Sequence, residues 1–181
     1  MAALLVRPSI EADVSAITRI YAHHVLHGLA SFEEIPPDAA ELASRRREVL
    51  GHGLPHLVAD EDGEVVGYCY AAPYRARSAY RFTIEDSVYI DPGHVAQGIG
   101  RALLSRLIAL CRGGPWRQMI AVIGDSENYA SIGLHKAEGF QMIGTHPAVG
   151  FKFGRWVDSV LMQRGLGEGG ADAAKRVSLH I

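Results

Sequence analysis

The stretch Val88-Tyr89-Ile90-Asp91-Pro92-Gly93-His94-Val95-Ala96-Gln97-Gly98-Ile99-Gly100-Arg101-Ala102-Leu103-Leu104 changes its hydrophobic period part-way along, and that change decides the architecture. Its first residues complete a strand over residues 82–90, with Ile84, Val88 and Ile90 on one face and Thr83, Glu85, Ser87 and Tyr89 on the other. Asp91-Pro92-Gly93 ends the strand. From Gly98 the apolar positions Ile99, Leu103, Leu107, Ile108 and Cys111 follow helical spacing. A strand that runs through a glycine-bearing turn into a helix points several unpaired amides and the positive end of the helix dipole at one place. Val95, Ala96, Gln97, Gly98, Ile99, Gly100 and Arg101 supply that cradle, which suits an anion of pyrophosphate size. Gly98 and Gly100 keep side chains out of its approach.

Toward the N-terminus, residues 4–7 read as a strand broken by Pro8, and Val14, Ile17, Ile20, Tyr21 and Val25 mark an amphipathic helix. Pro37 is placed to open a second helix over residues 38–50, closed by Gly51 and Gly53. Residues 56–59 and 65–70 flank Asp62-Gly63, a pair that accepts the positive φ angles of a tight hairpin. Toward the C-terminus, Gly113-Gly114-Pro115 stops the helix after the cradle and residues 119–123 form a buried strand. Residues 128–137 form a short helix with Gly139 just past its end. Residues 140–144 and 156–162 are the last two strands. Four glycines within residues 165–170 mark a fraying tail, so residues 1–164 form one domain and 165–181 a glycine-rich extension. Strands and helices in this mixed order give an α/β sheet with helices on its faces.

Composition excludes several classes of function. Eighteen basic against 20 acidic residues leave a net charge of -2, without the basic footprint of a nucleic-acid binder. Cys69 and Cys111 stand far apart with no CxxC, so neither a disulfide framework nor a cysteine zinc site is expected, and reduced thiols point to the cytoplasm. His23, His24 and His27 include a pair four residues apart but lack acidic or cysteine company, so no metal is expected. No apolar run is long enough for a membrane span.

The cradle resembles the coenzyme A motif of the GNAT superfamily, which reads Arg or Gln, two residues, Gly, one residue, then Gly or Ala. Val95 stands where that motif has Arg or Gln, with Gln97 close by. A second signature, Asn128-Tyr129-Ala130-Ser131-Ile132-Gly133-Leu134-His135-Lys136-Ala137-Glu138-Gly139-Phe140, is similar to the family's next helix and strand. The resemblance implies the GNAT fold: a central mixed, mostly antiparallel, twisted sheet flanked by helices. It also implies acetyl-CoA as cosubstrate, held by the backbone of Val88, Tyr89 and Ile90, by residues 95–101 and by Asn128 at the pantetheine arm.

Within the superfamily, the tract from Pro73 to Tyr89 and the tract Gly150-Phe151-Lys152-Phe153-Gly154-Arg155-Trp156-Val157-Asp158 resemble the phosphinothricin/methionine sulfoximine acetyltransferases. That resemblance makes Glu85 the catalytic carboxylate. Glutamate ordinarily ionises at about 4.3, so burial or a water relay must reconcile it with an amine. Asp86, the neighbouring carboxylate, falls on the opposite face by alternation. His135 takes the place of a proton-donating Tyr and would protonate the leaving thiolate. An amide near Val88 or Tyr89 would hold the oxyanion.

Phe32, Arg75, Arg77, Tyr80, Glu85 and Tyr89 would line the acceptor pocket. The two arginines, two apart in an extended stretch, match a carboxylate or phosphinate. The acceptor implied is a small anionic amino acid or analogue, and the last hairpin implies a homodimer. Peptide N-acetylation and a noncatalytic acyl-CoA sensor remain open.

Overall fold

The computed structural model describes residues 4–171. Seven strands, β1 (Leu4–Pro8), β2 (His56–Glu61), β3 (Glu64–Pro73), β4 (Thr83–Ile90), β5 (Gln118–Gly124), β6 (Gln141–Lys152) and β7 (Arg155–Gly165), form one sheet in the order β1-β2-β3-β4-β5-β7-β6. Every neighbouring pair is antiparallel except β4 and β5. Helices α1 (Val14–His27) and α2 (Ala39–Gly51) pack on one side, and α3 (Ile99–Arg112) and α4 (Tyr129–Ala137) on the other. This is the mixed, mostly antiparallel sheet that the resemblance implies.

Each helix buries the stripe that its spacing marks. In α3 these are Ile99, Leu103, Leu104, Leu107, Ile108 and Cys111, packed on Cys69, Met119, Ala121 and Met162. In α1 they are Val14, Ile17, Ile20, Tyr21 and Val25, most of them against Val58, Tyr68 and Tyr89. Fully burying such a side chain contributes roughly 1.5–3 kcal/mol, so each helix is held chiefly by its apolar face. The β2–β3 hairpin turns on Asp62 and Gly63, both at positive φ.

Several boundaries differ from the sequence reading. Asp38 caps α2 instead of opening it, its carboxylate accepting from the Glu41 amide at 2.8 Å, and Pro37 lies outside the helix. β6 runs far beyond residue 144, to Lys152, with register shifts at Met142/Gly144 and His146/Gly150 that let it stay paired with β7. The last strand runs past residue 162: β7 continues to Gly165, and Leu166, 0% exposed, joins the core while its amide donates to the Arg117 carbonyl. The rest of the expected tail, residues 172–181, lies outside the described residues.

Candidate functional site

The site begins where the one parallel pair gives out. β4 and β5 pair only from Thr83 to Asp86 against Gln118 to Ala121; beyond that, β4 stays with β3 to Ile90 and β5 stays with β7 to Gly124. The two strands part, and the amides and carbonyls on their facing edges lose their sheet partners. Ser87, Val88, Tyr89, Val122, Ile123 and Gly124 line the resulting gap, a narrow cavity of about 50 Å³ closed by Asp86 and His135. Through shared walls it adjoins a cleft of about 900 Å³ at the N-terminal ends of α3 and α4, and another of about 570 Å³ beside Glu85. The sheet is thereby open to two molecules at one point.

The larger cleft is bordered by Val88, Ile90, Val95, Ala96, Gly98, Ile99, Gly100, Arg101 and Asn128, all named from the sequence. Tyr89 faces the other two cavities, and Gln97 borders none of the three. Gly98 caps α3 at φ 82°, the left-handed region where a side chain is strained, and a Cβ there would point into open space. Ala102 is the first residue of α3 whose amide reaches back to the Gly98 carbonyl, so the amides of Ile99, Gly100 and Arg101 have no intrahelical acceptor. Such a cradle fits a diphosphate. Asn128 caps α4 through its oxygen, which accepts from the Ser131 amide at 3.1 Å. Sequence reasoning missed further walls of this cleft, among them His24, His94, Phe153 and Arg155. His24 Nε2 donates to the Ile90 carbonyl at 2.8 Å, so that histidine ties α1 to β4.

Consecutive carboxylates of β4 serve opposite sides of the sheet. Glu85 borders the 570 Å³ cleft with Phe32, Arg75 and Tyr89. Burial, reinforced by the charge of Asp86, pushes its carboxyl up to about 7. Asp86 turns to the α4 side, where its Oδ2 stands 2.9 Å from His135 Nε2. Side-chain exposure there is only 5% for His135 and 1% for Asp86. Nδ1 of His135 faces the Ser131 carbonyl at 2.7 Å, so both ring nitrogens meet oxygens, an arrangement that suits the imidazolium form. Burial by itself would lower the imidazolium, but the hydrogen bond and charge of Asp86 outweigh it and the pKa is raised. The sequence did hold a signal for Asp86: a charge on the strand face shared by Ile84, Val88 and Ile90 calls for a buried partner. Nothing in it showed that α4 would bring His135 there.

The acceptor side is narrower than the sequence list. Arg75 lies over the Tyr74 ring, 4.9 Å from its centroid, and within 5.5 Å of that of Tyr80. Tyr80 borders a separate cleft with Thr83 and Gln118. Arg77 borders neither of these clefts: β3 ends at Pro73, the backbone bends at residues 74, 76 and 77, and Arg77 stands at the N-terminal end of the short 3-10 turn Ser78–Tyr80. Lys152, which went unremarked in the sequence, is 2% exposed, and its ammonium donates to the carbonyls of Gly28 (2.9 Å) and Ser31 (2.7 Å). It thereby fastens the loop carrying Phe32 to the last hairpin. A Cβ on Gly124 would stand 1.9 Å from the Leu29 carbonyl oxygen, so that loop also rests directly on bare backbone. Among the described residues no group of three or more His, Cys, Asp or Glu could hold a metal ion.

Residues 18–140 match the acetyltransferase (GNAT) family. The chain is 60% identical over 167 residues to a phosphinothricin N-acetyltransferase of Alcaligenes faecalis, spanning 92% of this chain and 85% of that relative. It is 41% identical to an L-methionine sulfoximine/L-methionine sulfone acetyltransferase of Salmonella typhimurium, over 94% of this chain and 99% of the relative. A GNAT superfamily phosphinothricin acetyltransferase from Sinorhizobium meliloti, solved in complex with acetyl-CoA, superposes with a TM-score of 0.93 at 46% identity, covering 96% of this chain and 94% of that one. The matched segment contains the parted strands, the cradle and the helix beneath it, and the chain accordingly belongs to the acetyltransferase (GNAT) family, as an acetyl-CoA-dependent N-acetyltransferase.

Proposed function

We propose that the chain acetylates the amino group of a small anionic amino acid or analogue, of the phosphinothricin, methionine sulfoximine or methionine sulfone type, by direct attack in a ternary complex. The observation that carries this reading is the pair of clefts meeting at the gap between β4 and β5, with a carboxylate poised near neutrality on the smaller side. The substrate class rests on the relatives' names and on Arg75, whose guanidinium suits a carboxylate or phosphinate.

Acetyl-CoA supplies an activated thioester. Residues 95–101, with Val88, Ile90 and Asn128, would hold it along the larger cleft. Glu85 accepts the proton of the acceptor's ammonium, directly or through one water, and at about 7 it is matched to that task. An amide of Val88 or Tyr89, on the strand edge freed by the gap, takes the oxyanion. His135 is the source of the proton returned to the departing thiolate. A covalent relay through cysteine is disfavoured: Cys111 is buried, and its thiol is pushed up to about 12.

The assembly proposed is a homodimer through the last hairpin, whose Phe151 and Trp156 pair side by side and are 56% and 64% exposed. The compartment proposed is the cytosol, in keeping with two free thiols. Thiol release from acetyl-CoA across a panel of phosphinothricin, methionine sulfoximine, methionine sulfone, ordinary amino acids, polyamines and peptides tests the reading. Anionic amino acids should lead by at least tenfold in kcat/KM. A preference for peptides or polyamines would replace the substrate class, and coenzyme binding without turnover on any amine would favour the sensor.

A further inference from the structure

His135 has no free ring nitrogen toward the coenzyme cleft. Its Nε2–H is taken by Asp86 and its Nδ1–H by the Ser131 carbonyl, and it borders the narrow cavity without bordering the large cleft. Ser131 borders both. Its Oγ lies 3.3 Å from His135 Nδ1, close enough to share that proton with the carbonyl. In the imidazolium form Nδ1 carries a hydrogen, the serine oxygen is an acceptor in this contact, and its own O–H is left to point elsewhere. The open direction is the cleft that Ser131 borders.

We propose that the Ser131 hydroxyl is the group that protonates the departing sulfur, with His135 behind it as the proton reservoir and Asp86 as the residue that positions the ring. The inference rests on the acetyl-transfer reading above and adds a residue to it. The proton balance is closed. As the carbon–sulfur bond breaks, its electron pair stays on sulfur and takes the Oγ proton. Oγ takes the Nδ1 proton of His135, which becomes neutral with its Nε2–H still on Asp86. The acceptor nitrogen gives up two protons between ammonium and amide, one to Glu85 before attack and one to solvent as the tetrahedral intermediate collapses; one of the two reloads the ring through solvent and the other is released.

The groups facing this ring are Asp86 from β4, Ser131 from its own helix and the Phe140 ring, edge-on at 5.0 Å. Cys69 of β3 and Cys111 of α3 interact with Asp86 from behind. Glu85, on the opposite face, shares the carboxylate field.

The test uses the full chain and the variants Ser131→Ala, Ser131→Thr, His135→Gln and the Ser131→Ala/His135→Gln double. Ultraviolet absorbance of the thiolate in bound free coenzyme A reads the contact without turnover. Ser131→Ala should raise the pKa of the bound thiol by about one unit, through loss of a donor to the charged form, and Ser131→Thr should not. In single-turnover thiol release Ser131→Ala should lose about 10²-fold with coenzyme affinity kept, and Ser131→Thr should recover to within about tenfold of the parent. On one shared path the double variant should be no slower than the worse single by more than about threefold. An unchanged thiol pKa and release rate in Ser131→Ala, or losses that multiply in the double, would overturn the relay. If the parent protein binds coenzyme A but turns over no amine, the acetyl-transfer reading falls, and the thiolate titration still decides whether Ser131 reaches the sulfur.

Discussion

Glu85 and Asp86 are adjacent in the chain and chemically alike, yet β-alternation sends them to opposite faces with opposite consequences. For Glu85, burial and the neighbouring charge hold the carboxyl at about 7, so kcat/KM should climb as pH rises through that value and the base ionises. Glu85→Gln should lower kcat by about 10²-fold or more with coenzyme affinity unchanged, measured by steady-state kinetics and calorimetry. The same carboxylate costs stability. Its folded pKa lies above the ordinary value of 4.5, so the penalty is absent below about 4.5, grows as pH rises and is complete above about 7. Glu85→Gln should therefore stabilise the fold by about 1–3 kcal/mol at pH 8 and by little at pH 4.5, read by denaturant unfolding. Asp86 raises both Glu85 and His135. Asp86→Asn should accordingly move both limbs of the kcat profile toward acid pH: the rising limb because Glu85 loses a like charge, the falling limb because His135 loses its counter-ion. A profile reduced in height but unmoved in pH would mean that Asp86 serves packing alone.

Several elements owe their placement to contacts that their own sequences do not announce. The loop between α1 and α2 carries Phe32 to the acceptor cleft, and it is held by Lys152 near the end of β6 and by the bare backbone of Gly124 in β5. Lys152→Met keeps much of the apolar stem but leaves two carbonyls without their donor, at a cost of about 1–3 kcal/mol. We expect the acceptor KM to rise about tenfold, with a smaller change in coenzyme affinity, as comparison of initial rates with binding calorimetry would show. The β2–β3 turn, by contrast, is set by Asp62-Gly63 and was read from the sequence; the α2 cap at Asp38 is just as local, yet the neighbouring Pro37 drew the reading one position too early.

For the whole molecule, the sheet places β6 at an open edge, and a hairpin bearing exposed Phe151 and Trp156 at such an edge is a surface that another chain can cover. If the proposed homodimer forms there, Trp156→Glu should shift sedimentation from dimer to monomer at micromolar concentration; an unshifted dimer would place the interface elsewhere. The helical stripes, the two-residue hairpin and the strand-to-helix cradle were fixed by the sequence itself, because period and turn chemistry act over a few neighbouring residues. The meeting of Asp86 with His135 across 49 positions, the reach of Lys152 back to Gly28 across 124, and the parting of β4 from β5 were decided only in the folded sheet. Such pairings depend on which faces of distant elements pack together. Arg77 shows the same limit from the other side: its spacing from Arg75 assumes a continuous extended stretch, and the bends after β3 place only Arg75 on the wall of the cleft beside Glu85.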